Sequence, residues 1–125
     1  MKAPNNWIIP RRIVHETGVR SGALADVQLV CGAGPFELDV LVRNLERRFR
    51  LEFQGQVTHA GRIHEPVTSL PLWLVEADAT EPVDRTNTDE FGEFGFASSR
   101  DGRYGLRLGE SGDAPCVLVW EGGQR

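Results

Sequence analysis

Apolar and polar residues alternate with a period of two along most of the chain, as in β-strands that bury one face. The clearest stretch covers residues 87–108, where two alternating segments flank Arg100-Asp101-Gly102. Asp-Gly is a strong signal for the turn of a β-hairpin, so we predict a hairpin here. Other predicted strands cover residues 27–31, 36–43, 48–57, 70–75 and 116–120, with loops at 59–66 and 109–115 and a polar connection at 76–86 that leads into a short strand.

These segments predict an all-β fold, a single β-sandwich of about seven or eight mainly antiparallel strands. No segment of ten or more residues has a helical period, and 125 residues is the length of one domain. We predict an irregular N-terminal arm at 1–25, the sandwich at 26–121 and a frayed tail at 122–125. Within the arm, residues 11–16 fit either a short strand or one turn of helix.

Two residues inside predicted strands restrict the backbone. Gly55 interrupts an alternating run, which predicts a bulge or a close approach of another group to the backbone. Pro71 lacks an N–H group, which predicts that its end of the strand lies at a sheet edge or a bulge.

Charge is distributed unevenly along the chain. The formal net charge is −4, from 14 basic and 18 acidic residues. Residues 1–50 hold eight basic and five acidic residues, whereas residues 51–125 hold six and thirteen. The overall acidity argues against nucleic-acid binding, which requires neutralisation of phosphates.

The compartment is predicted from the cysteines and from the N-terminal sequence. Cys31 and Cys116 lie in apolar contexts and belong to no Cys-x-x-Cys motif, so we predict free structural thiols. No apolar run approaches the ~20 residues of a membrane helix. No secretory signal follows Met1 if that residue is the native start, which predicts a cytoplasmic protein that does not bind membranes.

From Leu51 onward, four motifs occur in order: Gly55-Gln56-Val57, Leu72-Trp73-Leu74, the segment from Thr88 to Phe94, and Gly102-Arg103-Tyr104-Gly105-Leu106. Together they resemble the carboxypeptidase regulatory-like domain, of the transthyretin-like (prealbumin-like) group. The resemblance covers residues 51–121 and implies a Greek-key sandwich. The strand Asp39-Val40-Leu41-Val42 is similar to a small bacterial variant often linked to sigma-factor genes, which implies a regulatory or accessory role.

Enzymatic relatives of this group carry residues that this chain lacks. Hydroxyisourate hydrolases end in Tyr-Arg-Gly-Ser, whereas this chain ends in Glu-Gly-Gly-Gln-Arg. Intradiol dioxygenases bind iron with two Tyr and two His, but Tyr104 is the only tyrosine here. No serine has the setting of a hydrolase nucleophile. We therefore predict a non-enzymatic interaction or accessory module without a cofactor.

A protein partner would be bound through a sheet face, an edge strand or loops. The candidate residues are Arg48 and Arg50, Trp73 and the arm residues Trp7 and Ile8. Each has a structural alternative, since the arginines suit a solvent-facing strand and the arm residues suit packing on the domain's own sheet. An edge-paired homodimer and a monomer both remain open.

A second hypothesis is a metal-binding or carbohydrate-type ligand-binding domain. His59 and His64 flank one predicted loop, and Glu65 could supply a carboxylate ligand. The alternative is that all three are exposed loop residues, since no regularly spaced third ligand supports the pair.

Four residues are assigned to the fold rather than to a site. We predict that Asp89 caps a turn through backbone N–H groups and that Gly92 and Gly102 supply permissive backbone. Tyr104 is predicted to bury its ring near a corner of the sandwich.

Overall fold

The computed structural model describes residues 7–15, 26–45, 50–76, 81–99, 102–111 and 113–121. This part of the chain contains strands and no helix. The strands are β1 Arg11–His15, β2 Asp26–Ala33, β3 Phe36–Leu45, β4 Arg50–His59, β5 Arg62–Pro66, β6 Pro71–Glu76, β7 Glu81–Asn87, β8 Glu93–Ser99, β9 Arg103–Leu108 and β10 Cys116–Glu121.

The strands form two antiparallel sheets, which confirms the predicted all-β sandwich. The six-stranded sheet has the order β1-β2-β3-β4, with β5 and β8 both paired to β4. The four-stranded sheet has the order β10-β9-β6-β7. In this second sheet β9 returns to lie beside β6 after β8 has crossed to the other sheet, a connection of the Greek-key kind.

The core lies between the two sheets and follows the predicted alternation. Along β4, Leu51, Phe53 and Val57 point inward and are fully buried, whereas Gln54 and Gln56 are exposed. The other large side chains that are fully buried in the described part of the chain are Leu38, Val40, Leu72, Leu74, Leu106, Leu108 and Val117. Burying apolar surface from both sheets is the main contribution to stability in such a fold.

The hairpin predicted at residues 87–108 is wrong. The strands β8 and β9 are consecutive, but β8 pairs with β4 and β9 pairs with β6 and β10. The period-two pattern fixes which side chains point inward, but it does not fix which sheet a strand joins. In a sandwich, two consecutive strands can both alternate apolar and polar residues and still belong to opposite sheets.

The strand content is higher than predicted. The loop assignment for residues 59–66 is wrong because Arg62–Pro66 forms β5 against the end of β4, and most of the polar connection at 76–86 belongs to β7. These segments are polar, so the alternation of apolar residues did not identify them. They are strands because their backbone groups pair with neighbouring strands.

The described part of the N-terminal arm is also paired. The Ile8 N–H donates to the Cys116 carbonyl over 2.8 Å, and the Leu118 N–H donates to the Ile8 carbonyl over 2.9 Å. Residues 11–15 then form β1 on the edge of β2, which selects the strand over the helical turn. Residues 7–15 thus join both sheets, whereas the rest of the arm and the tail at 122–125 lie outside the described residues.

The turn before β8 is built around Asp89. Its Oδ1 accepts hydrogen bonds from the N–H groups of Phe91 (2.8 Å) and Glu93 (2.9 Å). Gly92 has φ +75°, which an L residue rarely adopts. The buried Thr88 hydroxyl adds a link that the sequence did not suggest, since it donates to the Val67 carbonyl over 2.6 Å.

Predictions were also made for three further residues, Gly55, Pro71 and Gly102. Gly55 marks a close approach, since a Cβ there would lie 2.6 Å from the Phe94 ring. Pro71 is the first residue of β6, which lies between β9 and β7, so its placement at an edge or bulge is wrong. Gly102 leaves room for the Tyr104 ring, which is 6% exposed, because a Cβ at residue 102 would lie 2.9 Å from that ring.

Candidate functional site

The outer face of the four-stranded sheet carries a tryptophan between two arginines. Trp73 on β6 faces outward because its neighbours Leu72 and Leu74 point into the core. Its cross-strand partners are Arg85 on β7 and Arg107 on β9. The Arg85 guanidinium lies 5.0 Å from the centre of the Trp73 ring, a cation–π geometry.

Glu110 holds both arginines beside Trp73. Arg85 Nη2 lies 3.1 Å from Glu110 Oε2, and Arg107 Nη2 donates to the Glu110 carbonyl over 2.8 Å. Both partners of the ion pair are about half exposed, so the pair contributes little to stability. Together with the hydrogen bond from Arg107 to the Glu110 carbonyl, it places both guanidinium groups next to Glu110.

The arm places a second tryptophan on the same face. Gly105 on β9 points outward between the buried Tyr104 and Leu106, and it pairs with Val75, which follows Trp73 on its face of β6. The Trp7 ring covers Gly105, since an ideal Cβ at residue 105 would lie 1.5 Å from Trp7 Cζ3. We call the surface formed by Trp7, Trp73, Val75, Arg85 and Arg107 the tryptophan face.

The indole nitrogens of the tryptophan face are unusual. Nε1 of Trp7 and Nε1 of Trp73 are both buried and have no acceptor among the residues that the structure describes. Both rings are nevertheless partly exposed. The face therefore presents aromatic surface to solvent while its two indole N–H groups lack acceptors, and a buried donor without an acceptor is costly.

The predicted partner-binding residues do not form one site. Trp7, Ile8 and Trp73 lie together at the four-stranded sheet. Arg50 is exposed on β4, in the opposite sheet, with Ser99 as its cross-strand partner. Arg48 lies outside the described residues. The candidate residues that the structure describes therefore lie on both sheets.

The sequence did not single out Arg85, Arg107 or Gly105. The alternation of β9 assigns Arg107 and Gly105 to the polar face, and that of β6 assigns Trp73 to the face opposite Leu72 and Leu74. Only the pairing of β6 with β9 and β7 shows that these residues are neighbours. Register between strands distant in sequence is a tertiary property.

Both cysteines are free thiols of intermediate exposure. Burial raises the pKa of the Cys31 thiol above 9.0. Burial also raises the pKa of Cys116, while its cross-strand neighbour Arg107 acts in the opposite direction by favouring the thiolate. Neither thiol has the lowered pKa of a reactive cysteine.

Two of the three metal-ligand candidates, His59 and Glu65, have described side chains. Glu65 is paired with Arg62, whose Nη1 lies 3.2 Å from its Oε1. His59 lies on β4 opposite Arg62, and the His64 side chain is outside the described residues. Among the described side chains, no group of three His, Cys, Asp or Glu could hold a metal ion.

The outer face of the six-stranded sheet has a different chemistry. It contains an open groove of about 880 Å³ beside Gly95, which has no side chain to fill it. Two amides are fixed there: Gln28 Nε2 donates to Asp39 Oδ1 over 2.8 Å, and Gln56 Nε2 donates to the Phe91 carbonyl over 2.9 Å. The groove has both polar and apolar lining residues, and its charged lining residues, Asp39, Asp89 and Glu93, are acidic.

No family model matches the chain, and neither the curated proteins nor the solved structures contain a significant match. The resemblance to the carboxypeptidase regulatory-like domain therefore stays a prediction from the sequence. In the described part of the chain, no helix is long and apolar enough to cross a membrane.

Proposed function

We propose that this protein is a non-enzymatic β-sandwich module that binds a protein partner through the tryptophan face. The observation that carries the proposal is the placement of Trp7 and Trp73 on one outer sheet face, which also carries Arg85 and Arg107. Trp and Arg are the residues most enriched among those that dominate binding energy at protein interfaces. The two residues are 66 positions apart in sequence (73 − 7), so local structure does not explain their proximity.

Each group has a distinct role in the proposed interface. The Trp73 ring supplies apolar contact area at low cost in conformational entropy, because it is already held under Arg85. Arg107, anchored on the carbonyls of Gly109 and Glu110, offers guanidinium hydrogen bonds to acceptors of a partner. A pre-ordered surface of this kind loses little freedom on binding.

The test is quantitative affinity capture from the native host, followed by titration of the purified partner. We expect Trp73→Ala to weaken binding at least about tenfold, since a hot-spot residue contributes roughly 2 kcal/mol or more. Arg107→Gln is expected to weaken binding less, because it removes hydrogen bonds but little contact area.

Arg50→Gln is the matched control, since Arg50 is exposed on the opposite sheet. It is expected to bind like the wild type. A partner whose affinity is unchanged by Trp73→Ala but lost with Arg50→Gln would contradict the proposal, provided that both variants keep their melting temperatures.

We further propose an accessory role in bacterial regulation, in the cytoplasm. The support comes from the resemblance carried by the sequence and from the two free cysteines, which fit a reducing compartment. Identification of the captured partner as a component of transcriptional or signalling machinery is the expected outcome. An extracytoplasmic partner would count against it.

A second candidate function is the binding of a small polar or carbohydrate-type ligand, with or without a metal at the His59 and His64 segment. The groove near Gly95 favours the ligand, since fixed amide and carboxylate groups match the hydroxyls of a sugar. Metal analysis of untagged protein and calorimetric titration with neutral oligosaccharides test it. Substoichiometric metal together with the absence of binding heat would reject this candidate.

A further inference from the structure

A cavity lies between the two sheets at the place where the N-terminal arm crosses from one sheet to the other. Ile8 is paired with β10, and β1 begins at Arg11, so Ile9 and Pro10 span the gap between the sheets. On the same side of the sandwich β10 lies against β2. A cavity of about 350 Å³ remains beside this crossing. It shares no lining residue with the tryptophan face or with the groove beside Gly95.

The walls of this cavity are mainly apolar. Val27, Leu29 and Val42 line it from the inner face of the six-stranded sheet, and Val119 and Trp120 line it from β10. Its volume lies at the lower end of the range for small-molecule sites, about 300–1,000 Å³. Such sites are typically apolar with a few polar groups that orient the ligand. The walls therefore suit a single short apolar chain or ring.

A β-bulge turns Trp120 toward the cavity. The register between β10 and β9 shifts between Leu118 and Trp120, which places Trp120 opposite the buried Tyr104. Residues directly opposite each other on paired strands point to the same side of a sheet. Regular alternation from Val117 and Val119 would instead have placed Trp120 on the outer face. The bulge thus adds an aromatic ring to the inner side, where Trp120 packs against the core.

The charges at the rim of the cavity are not balanced. Its two charged lining residues are Arg12 and Glu121. Glu121 is already paired, since its Oε2 lies 3.2 Å from Arg103 Nε. None of the ion pairs found among the described residues involves Arg12, which is exposed. Arg12 stands opposite Leu29 in the pairing of β1 with β2, so its side chain leaves β1 on the inner side of the sheet, next to the cavity.

We propose that this cavity binds a small free carboxylate that carries one apolar chain or ring. The apolar part would fill the space between Val27 and Trp120, and the carboxylate would accept two parallel hydrogen bonds from the Arg12 guanidinium at the rim. Ile9, which lies at the rim and is 69% exposed, would be covered by the ligand. This site is independent of the proposed partner binding, which uses the outer face of the other sheet.

Decanoate is the probe, titrated by calorimetry into the full chain at neutral pH and below its micelle concentration. We expect one site with a dissociation constant between about 10 µM and 1 mM. Octanoate has two methylene groups fewer and should bind roughly tenfold more weakly. Decylammonium has the same chain and the opposite charge, so it should bind at least about tenfold more weakly than decanoate.

Arg12→Gln tests the proposed recognition of the carboxylate. It should weaken decanoate binding about fivefold or more, while binding of the uncharged 1-decanol should stay unchanged. A purely structural effect of the substitution would weaken both ligands alike. Arg11→Gln is the matched control, because Arg11 is the exposed neighbour that stands opposite Val30 on the outer side of the sheet. It is expected to bind decanoate like the wild type.

Val27→Phe tests the location of the apolar part, since the larger side chain would occupy the cavity. Binding of both decanoate and 1-decanol should be lost. Val30→Phe makes the same change on the outer side of the same strand and should bind both ligands like the wild type. Melting temperatures report whether these variants fold, and the Arg12→Gln comparison stands even if Val27→Phe does not.

Four results would each overturn the proposal. The first is the absence of decanoate binding by the wild type at millimolar concentration. The second is equal affinity for decanoate and decylammonium. The third is an Arg12→Gln variant that binds decanoate as tightly as Arg11→Gln, or that loses decanoate and 1-decanol to the same extent. The fourth is a folded Val27→Phe variant that binds decanoate as tightly as Val30→Phe.

Discussion

The ring of Trp7 covers Gly105 and occupies the space of a side chain at that position. An ideal Cβ on residue 105 would lie 1.5 Å from Cζ3 and 2.1 Å from Cη2 of Trp7. The contact fixes the arm to β9, while the hydrogen bonds of Ile8 fix it to β10. Glycine is needed here for its missing side chain, because any Cβ would displace the indole.

We predict that Gly105→Ala lowers the free energy of unfolding by about 1–3 kcal/mol, since the Trp7 ring has to leave its place. In a Trp7→Ala background the same substitution should cost much less, because the ring is already absent. Urea denaturation of the four proteins measures this coupling as a double-mutant cycle.

Gly95→Ala is the matched control, because a Cβ there meets only the Phe53 carbonyl at 3.6 Å. No loss, or a gain of up to about 1 kcal/mol from a stiffer unfolded chain, is expected. Equal costs for Gly105→Ala in the presence and absence of Trp7 would show that the ring does not hold this position.

The turn around Asp89 is also expected to contribute to the free energy of unfolding. Gly92→Val combines a φ of +75° with a Cβ that would lie 2.5 Å from the Val57 carbonyl, so a loss of about 2–4 kcal/mol is expected. Asp89→Ala removes the acceptor of two backbone N–H groups and should cost about 1–2 kcal/mol. Thermal and urea denaturation measure both.

Asp89→Asn retains an acceptor oxygen and should keep most of the stability that Asp89→Ala loses. Glu90→Ala, in the same turn and exposed, is expected to stay within about 0.5 kcal/mol of the wild type. If Asp89→Ala were as stable as Glu90→Ala, the carboxylate would have no capping role.

The two thiols should respond differently to loss of Arg107. Because burial raises the pKa of both above 9.0, their thiolate fractions at pH 8 are lower than that of an exposed cysteine. Arg107→Gln removes the charge that lowers the pKa of Cys116, so its alkylation by iodoacetamide should slow. Cys31 is the internal control and should react at an unchanged rate, measured by mass spectrometry.

The raised pKa values of the two thiols also determine the direction in which the free energy of unfolding changes with pH. The folded-state pKa exceeds the unfolded value, so the contribution of these thiols is complete below about pH 9 and is lost as the pH rises through the folded-state pKa. A variant with both cysteines replaced by alanine should lose less stability between pH 8 and pH 10, as measured by urea denaturation. An identical loss in both proteins would contradict this assignment.

Much of the local structure could be predicted from the sequence, because a strand that buries one face has apolar residues at every second position. Leu51, Phe53 and Val57 on β4, and Tyr104, Leu106 and Leu108 on β9, point inward as their alternation indicates. The Asp89 turn could also be anticipated, since its residues act on their immediate neighbours. Polar strands such as β5 carry no such pattern and were missed.

The sequence by itself determined the all-β class, the inward residues and the turn chemistry, because these depend on contacts within a few residues. The tertiary structure alone decided that β8 and β9 belong to different sheets and that Trp7 meets Gly105. It also placed Trp73 between Arg85 and Arg107 and left Arg50 on the opposite sheet. The physical reason is that pairing between distant strands depends on the simultaneous fit of both sheets, whereas alternation records only the side on which each residue is buried.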